Sequence, residues 1–209
     1  MENNILDNSQ LENLSNEELN ELYISYTAKA LIQKNIEQAI KILINSLYGY
    51  LGSPYSRFYN MYIAEAITLT GQAIIRTSAN LINDDLEKIT GSKKDRICGV
   101  DTDSNYIDLT DIVLSEKTGW YKKTDDEIVT LIDKFCSTRL EKVITEGFDE
   151  LFDKLNAYDP CIYMKREAIG SGVFVQKKRY TMYVYDNEGV RYPKPKLKII
   201  GLEAVRSST

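Results

Sequence analysis

The sequence predicts an α+β fold in which helices cover one face of an antiparallel sheet. Two observations carry that expectation. Amphipathic helical patterning fills most of residues 15–155, interrupted only by one short hairpin, and β-formers separated by turn residues dominate the chain beyond residue 161. There is no internal repeat and no low-complexity linker. With 209 residues and 43% hydrophobic side chains, the chain has enough apolar material to bury a core.

Residues 1–14 are rich in Asn and Glu and show little periodicity. Ser15 followed three residues later by Glu18 makes a capping box, so a helix should begin near Asn16, with Leu19, Leu22, Tyr23, Tyr26, Ala30 and Leu31 on its apolar stripe. A second helical run covers about 33–47, and the cluster Gly49, Gly52, Pro54 supplies its stop signal. A third covers about 62–88 and is closed by Gly91. A fourth runs over 125–155, with Ile128, Leu131, Ile132, Phe135, Leu140, Val143, Ile144, Phe148, Leu151 and Phe152 at near-helical spacing.

Strands are expected at 96–100 and 105–109, flanking the tight turn Asp101-Thr102-Asp103-Ser104. Further strands are expected at 162–169, 172–176, 179–185, 190–192 and 197–200, with Asp186-Asn187-Glu188-Gly189 as a hairpin turn.

Composition removes several kinds of chemistry. The chain has no histidine, so any proton transfer or metal ligation falls to carboxylates, lysines, tyrosines and hydroxyls. Its three cysteines, Cys98, Cys136 and Cys161, are odd in number, widely spaced and without a CxxC pair, which suits reduced thiols better than a zinc site or a disulfide framework. No segment has the pattern of a signal peptide or approaches 18 consecutive apolar residues, so a cytoplasmic protein without a membrane partner is expected.

The net charge of −5 conceals an asymmetry. Residues 162–209 hold ten Lys or Arg against four Asp or Glu, which leaves 16 basic against 27 acidic in residues 1–161. The basic segment carries Tyr163, Phe174, Tyr180, Tyr183, Tyr185 and Tyr192 interleaved with its cations. That composition suits a phosphate-contacting surface with stacking groups, and it equally suits a solvated β-surface.

Two constellations carry possible chemistry. In Lys41-Ile42-Leu43-Ile44-Asn45-Ser46-Leu47-Tyr48-Gly49, the residues Lys41, Asn45 and Tyr48 fall at i, i+4 and i+7 on one helix face. A cation and an amide one turn apart can hold a polyphosphate, with the phenol packing on a base or sugar. Spacing alone favours an ordinary wet helix face. In Asp101-Thr102-Asp103-Ser104, two carboxylates at a hairpin tip can converge on a hard divalent cation, which prefers oxygen ligands. By itself the tetrapeptide is also a common polar turn.

Taken together, these segments resemble a known family. Lys41-Ile42-Leu43-Ile44-Asn45-Ser46-Leu47-Tyr48-Gly49, then Asp101-Thr102-Asp103-Ser104, then Lys177-Lys178-Arg179-Tyr180 resemble motif B, motif C and the KxY motif of family B DNA polymerases, in that family's order. Met164-Lys165-Arg166-Glu167, Lys196-Leu197-Lys198-Ile199-Ile200-Gly201-Leu202-Glu203 and Ser207-Ser208-Thr209 look most like polymerases of T-even-like bacteriophages. The resemblance runs from about residue 30 to the last residue.

It implies a partial helical fingers portion over residues 1–48 and a palm over 49–209, the palm carrying the motif C hairpin and the primer-grip strands. By the resemblance, Asp103 is the carboxylate that holds the catalytic metals, two Mg²⁺ ions in a complete site, and Asp101 is its companion. Lys41 and Asn45 would contact the incoming deoxynucleoside triphosphate, with Lys41 assisting catalysis, and Tyr48 would sit under the nascent base pair. Lys177, Lys178, Arg179, Tyr180 and Arg206 would hold primer-template DNA, and Glu167 is a supporting palm carboxylate.

The chain departs from the pattern at three places. Val100 stands where the family usually has a glycine, with Gly99 one residue earlier; Lys165 stands where phage relatives often have an acid; and the segment between Ile169 and Lys177 is shorter. No stretch before Lys41 resembles motif A, whose aspartate supplies the other indispensable metal ligand, and no exonuclease or thumb region is recognisable. The chain alone is therefore expected to be nearly inactive, and to need a partner fragment bearing those parts. The alternative is a remnant that binds primer-template DNA without turnover.

Overall fold

Helix α1, Asn16–Gly52, begins at the capping box the sequence announces: Ser15 Oγ accepts from the Glu18 amide at 3.3 Å, and the Glu18 carboxylate accepts from the Ser15 amide at 2.8 Å. The two helical runs expected here are one helix of 37 residues, because nothing near residue 32 interrupts the backbone ladder. It stops at Gly52, with Ser53 extended, as the Gly49, Gly52, Pro54 cluster requires. The computed structural model describes residue 11 and residues 13–201, and divides into two compact units, Met1–Ala66 and Ile67–Thr209.

Within the first unit, α1 buries no side chain. Asn60 caps the start of α2, Met61–Thr90, by accepting from the Ile63 amide at 3.1 Å, and the missing side chain of Gly52 leaves room beside the buried Ala64.

The second unit is organised by the later turns of α2, whose Ile75, Ser78, Ile82, Asp85 and Leu86 are buried at helical spacing. Gly91, with φ of 71°, terminates the helix in the left-handed conformation that glycine adopts without strain. A hairpin follows, β1 (Ile97–Asp101) and β2 (Ser104–Ile107), then a short helix α3 (Thr110–Val113) and a 3-10 turn (Trp120–Lys122).

The long helix expected over 125–155 is present with one irregularity. Helix α4, Asp125–Phe135, starts at a second capping box between Thr124 and Glu127, passes through a π turn at Cys136–Leu140, and continues as α5, Glu141–Lys154. The buried residues Cys136, Leu140, Ile144, Phe148 and Phe152 recur every four positions. At 3.6 residues per turn such a stripe drifts around the helix; the wider π turn corrects the phase and keeps it on the core. These side chains pack with Ile82, Leu86 and Ile112 as the main core.

Strands β3 (Ala168–Gln176), β4 (Arg179–Asn187) and β5 (Val190–Ile200) form a separate antiparallel sheet in the order β3-β4-β5. The expected strand at 162–169 contributes only its last two residues, and 162–167 lie outside the sheet. The breaks expected near 170 and 193–196 are spanned by register shifts instead, between Ile169 and Gly170 and opposite Val184 and Asp186. Pro193 and Pro195 are tolerated because they fall inside the second irregularity on an edge strand, where no ladder N–H is required. The turn at 186–189 is closed by Asp186, which accepts from the Gly189 amide at 3.1 Å. Alternation along β4 buries Tyr180, Met182 and Val184 on one face, where Tyr106, Phe174 and Tyr192 meet them. The architecture is α+β with antiparallel sheets, as the sequence predicts.

Candidate functional site

The acidic hairpin and the basic hairpin, more than seventy residues apart in sequence, meet in the second unit. Asp101 pairs with Ser104, so Thr102 and Asp103 form a two-residue turn in which Thr102 takes φ of 45°. A β-branched residue is strained in that region, and three bonds offset the cost. The Asp101 carbonyl accepts from the Asp103 amide at 2.5 Å and from Ser104 Oγ at 3.2 Å, while Thr102 Oγ1 donates to the Asp101 carboxylate at 3.3 Å. The Asp103 carboxylate has no hydrogen-bond or ion-pair partner among the described residues and borders an open cleft of 950 Å³ that Glu167 and Lys198 also line.

On the basic side, Gln176 pairs with Arg179, which makes Lys177-Lys178 the turn between β3 and β4, with Lys178 at φ of 59°. Lys178 Nζ lies 3.3 Å from Asp101 Oδ1. The Lys178 and Asp101 side chains are 61% and 40% exposed, so water screens most of this attraction. Arg179 keeps its Nε buried without a hydrogen-bond partner among the described residues.

Tyr180 is 6% exposed, and its ring stacks on Phe174 at 5.0 Å between centroids. Its hydroxyl shares a hydrogen bond of 2.9 Å with Tyr106 of β2, either oxygen donating. Burial, together with that bond, pushes the Tyr106 phenol up to about 12. Opposite Tyr106 in the ladder stands Gly99, and a Cβ there would lie 3.3 Å from the Tyr106 ring and 3.7 Å from Phe174. A register shift at Cys98 brings Gly99 into that position. The glycine displaced by one residue in the sequence thus stands where a side chain would press tightly on the Tyr106 ring and touch Phe174, and Val100 is exposed.

Glu167 is exposed just before β3, and its backbone is pinned from two sides: its carbonyl accepts from the Glu188 amide at 2.6 Å and from Arg166 Nη1 at 3.2 Å. Arg166 also bonds Asp133 of α4 and the buried Asp186 of β4, and Arg191 adds Asp186 and Asp126 to the network. Desolvation works to raise the Asp186 pKa, but hydrogen bonds from Arg166 and the Gly189 amide outweigh it and hold the carboxyl below its ordinary value.

Lys41, Asn45 and Tyr48 belong to the first unit, where all three are exposed on α1. Arg206, Glu203 and residues 207–209 lie outside the described residues. Sequence reasoning gave no role to Tyr106, Phe174 and Gly99 as one packing group. The signal for Tyr106 was its alternation with Ser104 on a strand next to the acidic turn. It passed over the Arg166 network as well, since the partners are distant in sequence. Among the described residues no group of three or more His, Cys, Asp or Glu converges as a metal centre, so Asp101 and Asp103 supply at most part of one. Their donor chemistry, carboxylate oxygen only, is that of a hard cation such as Mg²⁺. Among the described residues no helix is long and apolar enough to cross a membrane.

A hairpin of two carboxylates abutting a cationic hairpin is an arrangement suited to phosphate chemistry. The model of DNA polymerase family B matches residues 20–209. The DNA-directed DNA polymerases of Escherichia phage RB69 and Enterobacteria phage T4 are each 35% identical over 96% of this chain, which spans 23% of their length. DNA polymerase 2 of Aeropyrum pernix is 30% identical over 81% of the chain and 15% of its own length. The chain belongs to DNA polymerase family B.

Proposed function

We propose that the chain is the palm portion, residues 49–209, with part of the fingers, residues 1–48, of a DNA-directed DNA polymerase that extends a primer 3′-hydroxyl on a template. The observation that carries this reading is the ion pair of 3.3 Å between Lys178 and Asp101, which sets a cationic turn directly against a carboxylate turn. Template-directed nucleotidyl transfer needs both at one place: anionic side chains for cations, and cationic side chains for the DNA backbone.

In the reaction the primer 3′-oxygen bonds to the α-phosphorus of a deoxynucleoside triphosphate, the bond to pyrophosphate breaks, and the hydroxyl proton is released. Asp103 and Asp101 would hold two Mg²⁺ ions, which when bound neutralise phosphate charge and lower the pKa of the 3′-hydroxyl. Asp103, free of partners among the described residues and bordering the cleft, is the principal ligand, and Glu167 lines the same cleft as a supporting carboxylate. Lys177, Lys178 and Arg179 contact the primer-template backbone without reading its sequence, and Arg206 adds to them. Tyr180, expected from the resemblance to hold primer-template DNA, is only 6% exposed, and its part in the grip is to hold the strand from inside. Lys41 and Asn45 contact the triphosphate from α1, and Tyr48 packs under the base pair.

The reading draws on a motif A aspartate, an exonuclease and a thumb from outside these 209 residues. Helix α1 exposes many apolar side chains, among them Leu31, Ile32, Leu43, Ile44 and Leu47, and extensive exposed apolar surface of this kind marks contact with further protein.

Primer extension tests the reading. The chain alone with Mg²⁺ and nucleotides should extend little, and a mixture with the complementary polymerase fragments should extend the primer and lose that activity with Asp103→Ala. Extension that survives Asp103→Ala would overturn the catalytic assignment. Binding without extension in every mixture would point to a DNA-binding remnant.

A further inference from the structure

We propose that Tyr106 is a positioning residue that couples the Lys177-Lys178 turn to the Asp101–Asp103 turn, so that primer-template and divalent-cation binding strengthen one another. The inference rests on the function proposed above for the two turns.

Two contacts link the turns. The first, Lys178 to Asp101, joins exposed side chains and cannot outlast the loaded state: a cation on Asp101 or a phosphate on Lys178 removes one of its members. The second, the bond of 2.9 Å between the hydroxyls of Tyr106 and Tyr180, uses no charged group of either turn, and Tyr180 is only 6% exposed. Tyr106 lies three residues beyond Asp103 on a strand of only four, and Tyr180 lies two residues beyond Lys178. Each phenol therefore reports the place of its own turn.

The packing makes this bond stiff. The Tyr106 ring lies 5.1 Å from Phe174 and 5.2 Å from Tyr180, and Gly99 leaves only van der Waals clearance on the facing strand. The next residue on β2, Asn105, points to the opposite face and donates to Ser78 Oγ at 2.7 Å, and Ser78 is completely buried in α2. The hairpin is held from both faces, so a displacement of the grip strand is passed to the acidic turn rather than absorbed by sliding. Once a cation occupies Asp101, Lys178 is released toward phosphate, and the buried link keeps the released ammonium in register with the cation.

The test uses the full chain, a fluorescein-labelled primer-template hairpin and Mn²⁺, reading DNA affinity by anisotropy with and without the metal. In the unmodified chain Mn²⁺ should tighten DNA binding by on the order of tenfold, a usual size for coupling between two sites. Tyr106→Phe keeps the ring and removes the hydroxyl; it should reduce that factor to within about twofold. Tyr180→Phe should do the same, and the double variant should fall no further, because the two hydroxyls act through one bond. Thermal melting of each variant checks the fold.

A Tyr106→Phe chain that keeps the full metal-dependent tightening overturns the inference while leaving the proposed function standing, as does a double variant that loses as much again as either single one. Absence of any metal effect in the unmodified chain overturns it too. Failure of the unmodified chain to bind the primer-template removes the DNA-grip reading and this inference together.

Discussion

Gly201 ends β5 against the turn between β3 and β4, and alanine there is the sharpest available perturbation of the cationic turn. Its φ is 64°, and an added Cβ would fall 2.1 Å from the Lys178 carbonyl oxygen and 3.1 Å from Arg179 Cγ. A carbon normally approaches such an oxygen to about 3.3 Å, so roughly 1 Å must be found by moving backbone. Lys178 itself sits at φ of 59°, which leaves its turn little freedom to give way. The left-handed conformation costs alanine about 1–2 kcal/mol, and the clash adds to it.

Gly189→Ala provides the reference, because Gly189 has φ of 85° but no atom within 4 Å of the added Cβ. Urea unfolding of both variants should show Gly189→Ala losing about 1 kcal/mol and Gly201→Ala at least about 1 kcal/mol more, with unchanged m. Gly201→Ala should also weaken primer-template binding by moving Lys178. Equal losses in the two variants would refute the reasoning, since the contact with Lys178 would then have no energetic consequence.

Phe148→Ala should cost about 3–5 kcal/mol of unfolding free energy, because Phe148 is 1% exposed at the centre of the main core; a loss under about 1 kcal/mol would mean that the core refills the space. Acid should destabilise the second unit through Asp186. Its folded pKa is depressed below the ordinary 3.8, so its stabilisation is present above 3.8 and is lost as pH falls through the folded value. Asp186→Asn should lower stability at pH 7 and flatten the acid limb of a stability curve recorded by circular dichroism. The three thiols should alkylate in order. Cys161 is exposed and reacts first, Cys98 follows because burial of its sulfur raises its pKa, and Cys136, pushed up to about 11 by desolvation, reacts only on unfolding. Peptide mapping after timed iodoacetamide treatment checks this, and early labelling of Cys136 would contradict the packing of the π turn.

Elements governed by local rules were legible. The Ser15 and Glu18 capping box, the stop at Gly52, the Gly91 terminus and the turn at 186–189 all depend on residues within a few positions of one another, and each lies where the sequence puts it. Elements governed by distant partners were less so. Nothing local announces the π turn, which exists because the stripe from Cys136 to Phe152 must keep facing α2. Nor does β-propensity explain why 162–167 stay outside the sheet: at the end of this segment Arg166 bonds Glu141 and Asp133 and the Glu167 carbonyl accepts from Glu188, partners that only folding brings close.

The candidate site divides along the same line. The sequence by itself determined the family, the two carboxylates of the acidic turn and the cations of the basic turn, because these are residue types at short fixed spacings. Only the tertiary structure decided that the two turns meet through Lys178 and Asp101, that Tyr180 faces inward to bond Tyr106, and that a register shift sets Gly99 against the rings of Tyr106 and Phe174. The physical reason is that backbone conformation is set largely by near neighbours, whereas the partner of a buried hydroxyl or an ion pair is set by which strands the core brings side by side.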